Sequence, residues 1–152
     1  KRWEPFRSFT GGLIEISCLG ILSNSSNYSF LIAPFGASTV LLFGVPNSPL
    51  AQPRNLILGN LIGAISTVLC VFFLGSSPLA SGIAVGLAIA LGQVFRCLHP
   101  PAGAVALLGV SLKASPTFIL IPVLSGSLIL LVIALVFHRV QRREHSYPLH
   151  WL

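Results

Sequence analysis

An arginine, an imidazole and two consecutive prolines stand together at Arg96-Cys97-Leu98-His99-Pro100-Pro101-Ala102-Gly103, with Gln93 just before them. Long apolar runs flank this stretch. In water it would read as an ordinary loop. At membrane depth, broken backbone and ionisable groups persist only inside protein or along a water-filled cavity, so there the same residues point to a site. Proline opens a helix cleanly, and the helix that follows presents unpaired backbone N–H groups and the positive end of its dipole. Such starts suit anions. Gly103 lets a ligand approach the backbone, and His99 supplies one N–H donor when neutral and two when protonated.

Composition places this stretch in a membrane. Of 152 residues 54% are hydrophobic and only 8% are charged, against about a quarter charged in soluble domains. The net charge of +6 gathers at the two ends. Lys1, Arg2 and Arg7 precede the first apolar run, and Arg139, Arg142 and Arg143 follow the last. Basic ends on both sides read as cytoplasmic flanks, and no basic, aromatic-interleaved face for nucleic acid accompanies them. Cys18, Cys70 and Cys97 form no paired framework and read as buried small hydrophobes. Carboxylates are almost absent, so neither a metal nor a cofactor is expected. No nucleophile–base–orienter set marks an enzyme.

Helices must position the polar stretch. An apolar segment over residues 12–32 would rise about 31 Å, enough to cross the hydrocarbon core. It carries Glu15 near its start, either at the interface beside the basic end or as a proton or cation partner inside the bundle. Pro34 and Gly36 break it, and a short run over 37–45 follows. After a proline-punctuated loop containing Arg54 and Asn55, residues 56–74 form a clean span with Gly59 and Gly63 as a GxxxG packing pair. Residues 79–98 form the next span. A short run to Leu112 and a last span over 118–136 complete the chain.

A shift of 67 positions aligns Pro34 with Pro101, Gly36 with Gly103, Leu41 with Leu108, Ser48-Pro49 with Ser115-Pro116, and Gly59 with Gly126. No gap is needed. The chain therefore reads as one membrane domain over 1–152, with repeat units of about 12–74 and 79–139 and a basic tail over 139–152. The expected fold class is an all-α integral membrane protein: four long transmembrane helices, two short Pro/Gly-broken half-helices and a two-fold internal repeat. If the half-helices re-enter, there are four crossings and parallel repeats. If they cross, there are six and the repeats are inverted. Both arrangements keep the termini on the cytoplasmic side. Duplicated units with paired broken helices point to a transporter site at their interface. Its substrate-binding candidates are His99, Pro100, Pro101, Gly103, Arg96 and Gln93 from the second break, with Pro34, Gly36, Ser38 and Thr39 from the first.

With His99-Pro100-Pro101-Ala102-Gly103-Ala104, Ala33-Pro34-Phe35-Gly36-Ala37-Ser38 and Pro49-Leu50-Ala51-Gln52-Pro53-Arg54-Asn55 in order, the sequence resembles the HPP family of integral membrane proteins over nearly its whole length. The resemblance implies a compact membrane protein with four long transmembrane helices, of a bacterial inner membrane or, in plants, the plastid envelope. Some members are associated with nitrite transport. The expectation is a transporter or channel for a small inorganic anion, nitrite favoured, whose partners are the lipid bilayer and further copies of itself. The alternative is a non-transporting membrane scaffold or sensory subunit.

Overall fold

The computed structural model describes residues 3–141 and 147–151. Among the described residues the chain is all-helical. Helix α1 spans Glu4–Ser25, with Pro5 in its first turn. It begins eight residues before the expected position 12 and ends seven before 32. Its end is local chemistry. Ser23 Oγ accepts from the backbone N–H of Phe30 at 2.7 Å and of Leu31 at 3.0 Å, so the apolar stretch after Ser25 folds back as extended chain.

Helix α2, Ala33–Thr39, starts on Pro34 and runs into a wide turn over Val40–Gly44. Helix α3, Asn60–Leu74, is entered through a wide turn over Asn55–Gly59. Helix α4 is Pro78–Val94, with the Ser77 side chain accepting from Ala80 N–H as its cap. Helix α5, Pro100–Ser111, starts on two prolines. Helix α6, Ser125–Val140, follows a turn over Ile119–Leu124 that leaves helical geometry at Ile121 before Pro122. Asn55–Leu74 and Ile119–Val140 are long and apolar enough to cross a membrane. Large apolar side chains such as Phe72, Phe73, Val132 and Val136 are exposed on their outer faces.

Three clusters of buried apolar side chains hold the bundle, the smallest joining Ala64 of α3, Val105 of α5, Ala114, Phe118 and Val123. A second is rich in small residues and joins α3, α4 and α5 through Cys70, Ala80, Ala84, Ala88, Ala106 and Val110. The third joins α1, α2 and α6 around Leu19, Phe35, Leu42, Phe43, Leu130 and Tyr147. The short helices α2 and α5 pack together between these last two. With the wide turn that extends it, α2 covers Ala33–Gly44, and α5 covers Pro100–Ser111. Along the shift of 67, the two bury, half-bury and expose the same positions from 33 to 45 and from 100 to 112. Asn60 and Ser127, related by that shift, are both buried, and Asn60 Nδ2 donates to Ser127 Oγ at 3.0 Å.

Cys70 and Cys97 are buried, whereas Cys18 is exposed on α1, contrary to the expectation for all three. Of the basic tail, Arg142 and Arg143 lie outside the described residues, as do Lys1 and Arg2. Beyond them the chain docks on the loop before α3. Tyr147 donates its hydroxyl to Ala51 O at 2.9 Å, and Leu149 N–H donates to Gln52 Oε1 at 2.9 Å. Burial pushes the Tyr147 phenol above its ordinary value, so it stays an O–H donor. Gln52 is fully buried and donates its amide to Pro46 O and Ser48 O. Gln52→Ala is expected to cost about 1–3 kcal/mol through these orphaned carbonyls, read as a lower melting temperature in detergent with earlier proteolysis of the tail.

Candidate functional site

The second break is pinned from α3. Past Val94 the chain turns at Arg96, whose φ of 52° lies in the left-handed region. Two side chains from the start of the wide turn that leads into α3 cover carbonyls freed by that turn of the chain. Arg54 Nη2 donates to Phe95 O at 3.0 Å, and Asn55 Nδ2 to Leu98 O at 2.7 Å. These two residues are thus structural to the break. Gly59 lies against His99 and Cys97 O, and Gly63 against Ala102 O, so any side chain there would push the break away.

His99 is 2% exposed, and both its ring nitrogens are engaged. Nδ1 lies 2.9 Å from Leu50 O and Nε2 lies 2.9 Å from Ser38 Oγ. A carbonyl only accepts, so Nδ1 carries the proton. Neutral His99 therefore receives the Ser38 hydroxyl at Nε2. This contact ties the first break to the second across 61 positions of sequence.

The other sequence candidates divide into three groups. Pro34 and Pro101 are buried and open α2 and α5, while Gly36 and Gly103 are half-buried within the first turns rather than in the breaks. Pro100 and Pro101 line an open groove of about 410 Å³ with Ala37, Val40, Leu41 and Ala104. Pro100, Gly103 and His99 also line a second open groove of about 570 Å³ with Val85, Ala88 and Ile89 of α4. Arg96 and Gln93 are exposed at the end of α4, outside the His99–Ser38 pair. Thr39 turns away toward Glu15, its Oγ1 2.6 Å from Glu15 Oε2.

The helix starts offer fewer donors than their positions promise. Pro100 and Pro101 have no N–H, and Ala102 N–H is bonded to His99 O. In α2, Phe35 N–H is bonded to Ile32 O. Cationic side chains are the stronger anion-attracting groups here. Arg54 is half-buried at the break, and its Nε has no hydrogen-bond partner. From the sequence, Arg54 is at least as much a cap or anchor for the following helix as a substrate contact. Among the described residues, no group of three or more His, Cys, Asp or Glu side chains could hold a metal ion.

Residues 1–148 match the family described as HPP, transmembrane region. The chain belongs to the HPP transmembrane family, and it is an integral membrane protein. It is 41% identical over 157 aligned positions to a transmembrane protein of Dictyostelium discoideum, covering 98% of this chain and 55% of that protein. A second transmembrane protein of the same organism is 37% identical, covering 98% of this chain and 50% of its own length. The chain thus spans about half the length of the curated relatives it matches. No solved structure matches it. Within the HPP family chain, the His-Pro-Pro tripeptide is where α5 begins and where His99 reaches Ser38 of α2.

Proposed function

We propose that this protein is a membrane transporter or channel for a small inorganic anion, nitrite being the favoured substrate, which passes between α2 and α5. The observation that carries this reading is the Arg54 guanidinium, half-buried beside the second break with Nε unpartnered. Among the described residues the carboxylates are Glu4 and Glu15, and Glu15 is engaged with Thr39. A half-buried guanidinium without a carboxylate favours an anion, and it binds planar oxyanions through paired N–H groups.

The reading includes an internal two-fold repeat of four long helices and two half-helices. The matched burial of α2 and α5 supports it, and so does the Asn60–Ser127 bond between equivalent positions, which is where a two-fold axis would bring them. The cores support it further. Helix α3 from the first unit packs with α4 and α5, and α6 from the second unit packs with α1 and α2, as an exchange between duplicated units would give. The basic flanks put both termini on the cytoplasmic side in this reading.

Nitrite uptake into proteoliposomes tests it. Uptake above protein-free vesicles is expected, falling about tenfold or more in Arg54→Gln if the lost contact is worth the ~1.5–3 kcal/mol of a charged hydrogen bond. His99→Ala and Arg96→Gln run in parallel. Unaltered uptake in all three variants removes these residues from the path, and absence of flux for every small anion sinks the transport reading. The second reading, a non-transporting scaffold or sensory subunit, draws on the half-length match: in each relative, about half of a longer protein lies outside the matched region.

A further inference from the structure

Glu15 stands eleven residues after α1 begins at Glu4, about 16 Å along the helix. It is fully buried there, in the middle of the helix rather than at its end. One turn earlier, Gly11 lies directly against the Phe43 ring, which seats the end of α2 close to α1. That approach puts Thr39 Oγ1 2.6 Å from Glu15 Oε2 and 2.8 Å from Phe35 O.

Counting hydrogens decides the state of this cluster. Threonine has one hydroxyl hydrogen, while a carbonyl and an ionised carboxylate only accept. With Glu15 ionised, one of the two short oxygen contacts would contain no hydrogen. With Glu15 protonated, its O–H donates to Thr39 Oγ1 and the Thr39 O–H donates to Phe35 O. Both contacts are then true hydrogen bonds. Glu15 Oε1 has no hydrogen-bond partner, which an apolar interior tolerates in an acid far better than in a carboxylate.

Among the described residues, α2, α6 and the tail each bring groups to this cluster. From α2 there is Thr39. From α6 there is His138, whose Nε2 donates to Leu42 O at 2.9 Å, and Arg139 beyond it is exposed. From the tail there is Tyr147, which packs on His138 and spends its hydroxyl on Ala51 O.

We propose that Glu15 is a proton-carrying site that couples anion passage to proton movement. Thr39 and Ser38 are consecutive on α2, one bonded to Glu15 and the other to His99 at the second break. When Glu15 releases its proton, the carboxylate leaves Thr39 with two acceptors for one hydrogen, and α2 has to re-seat. The same shift moves Ser38 against His99. The carboxyl O–H bond breaks and the proton leaves to water, to be regained from the opposite side. No other reactant is involved. The coupling rests on the transport reading above, whereas the protonated state does not.

The chain has three acidic residues, so infrared assignment is direct. Purified full-length protein at neutral pH is expected to show a carboxylic acid C=O band that disappears in Glu15→Gln and moves to higher frequency in Thr39→Val. A spectrum at neutral pH with no such band overturns the assignment. In nitrite-loaded proteoliposomes with a pH dye, proton movement above protein-free vesicles is expected in the wild type and its loss in Glu15→Gln. Wild-type nitrite flux without proton movement overturns the coupling while leaving transport standing. No flux of any small anion removes the transport reading and the coupling with it, and the infrared band then still decides whether Glu15 holds a proton.

Discussion

Gly63→Ala is expected to be among the most damaging single substitutions in the chain, despite adding one methyl group. A Cβ at position 63 would sit 2.5 Å from Ala102 O and 3.2 Å from its carbonyl carbon. The obstacle is backbone at the start of α5, so relief requires moving the helix that carries His99. Overpacking of this kind costs about 1–3 kcal/mol, occasionally more, while the helical gain from alanine returns only about 0.5–1 kcal/mol. Gly59→Ala should act likewise, because its Cβ would run into His99 and lie 2.9 Å from Cys97 O. Gly36→Ala is the opposite case. Nothing lies within 4 Å of a Cβ there, so it should melt at or slightly above the wild-type temperature. If the anion passes close to the α2 backbone, Gly36→Ala nevertheless slows nitrite uptake. Melting in detergent and uptake in vesicles separate the two effects. Equal melting of Gly63→Ala and Gly36→Ala would show that α3 and α5 do not meet as described.

The breaks were legible because proline acts locally. Pro34, Pro100 and Pro101 fix helix starts without reference to the rest of the fold, and α2 and α5 begin where those residues stand. The extent of α1 was not legible. Phe30 and Leu31 look like a continuing apolar face, and after the polar run Asn24-Ser25-Ser26-Asn27 the Ser23 hydroxyl reaching their backbone holds them out of the helix. That displacement of the frame puts Glu15 in the middle of α1 and fully buried, the interior one of its two expected positions rather than the interface. Thr39 reads as an anion donor from its place in the chain, yet its one hydroxyl hydrogen goes to Phe35 O and its oxygen to Glu15, which no spacing rule reveals. The partners of His99 were equally hidden. Leu50 and Ser38 lie 49 and 61 positions away and meet it only once α2 packs on α5 and the loop before α3 folds underneath. Gln52 and Asn60, both fully buried, had no signal beyond being polar residues in apolar surroundings.

Ser38→Ala and His99→Leu are expected to be strongly non-additive. Ser38→Ala deletes the donor to Nε2 of a histidine that is 2% exposed, leaving that nitrogen unpaired at a cost of about 1–3 kcal/mol. His99→Leu orphans two partners at once, the Ser38 hydroxyl and Leu50 O, and should cost more. In the double variant the Ser38 hydroxyl is gone as well, so its share of the penalty is not incurred twice. A coupling of about 0.5–3 kcal/mol is therefore expected between the two sites, read from melting of the four proteins in detergent. Strict additivity would mean that the bond contributes nothing and that α2 and α5 are held by apolar packing alone. His99→Asn gives the sharper functional reading. Its amide can donate to Leu50 O or accept from Ser38, but it is too short to hold both, so it should recover part of the stability. If the Ser38–His99 bond is what transmits movement of α2 to the second break, His99→Asn restores melting without restoring nitrite uptake.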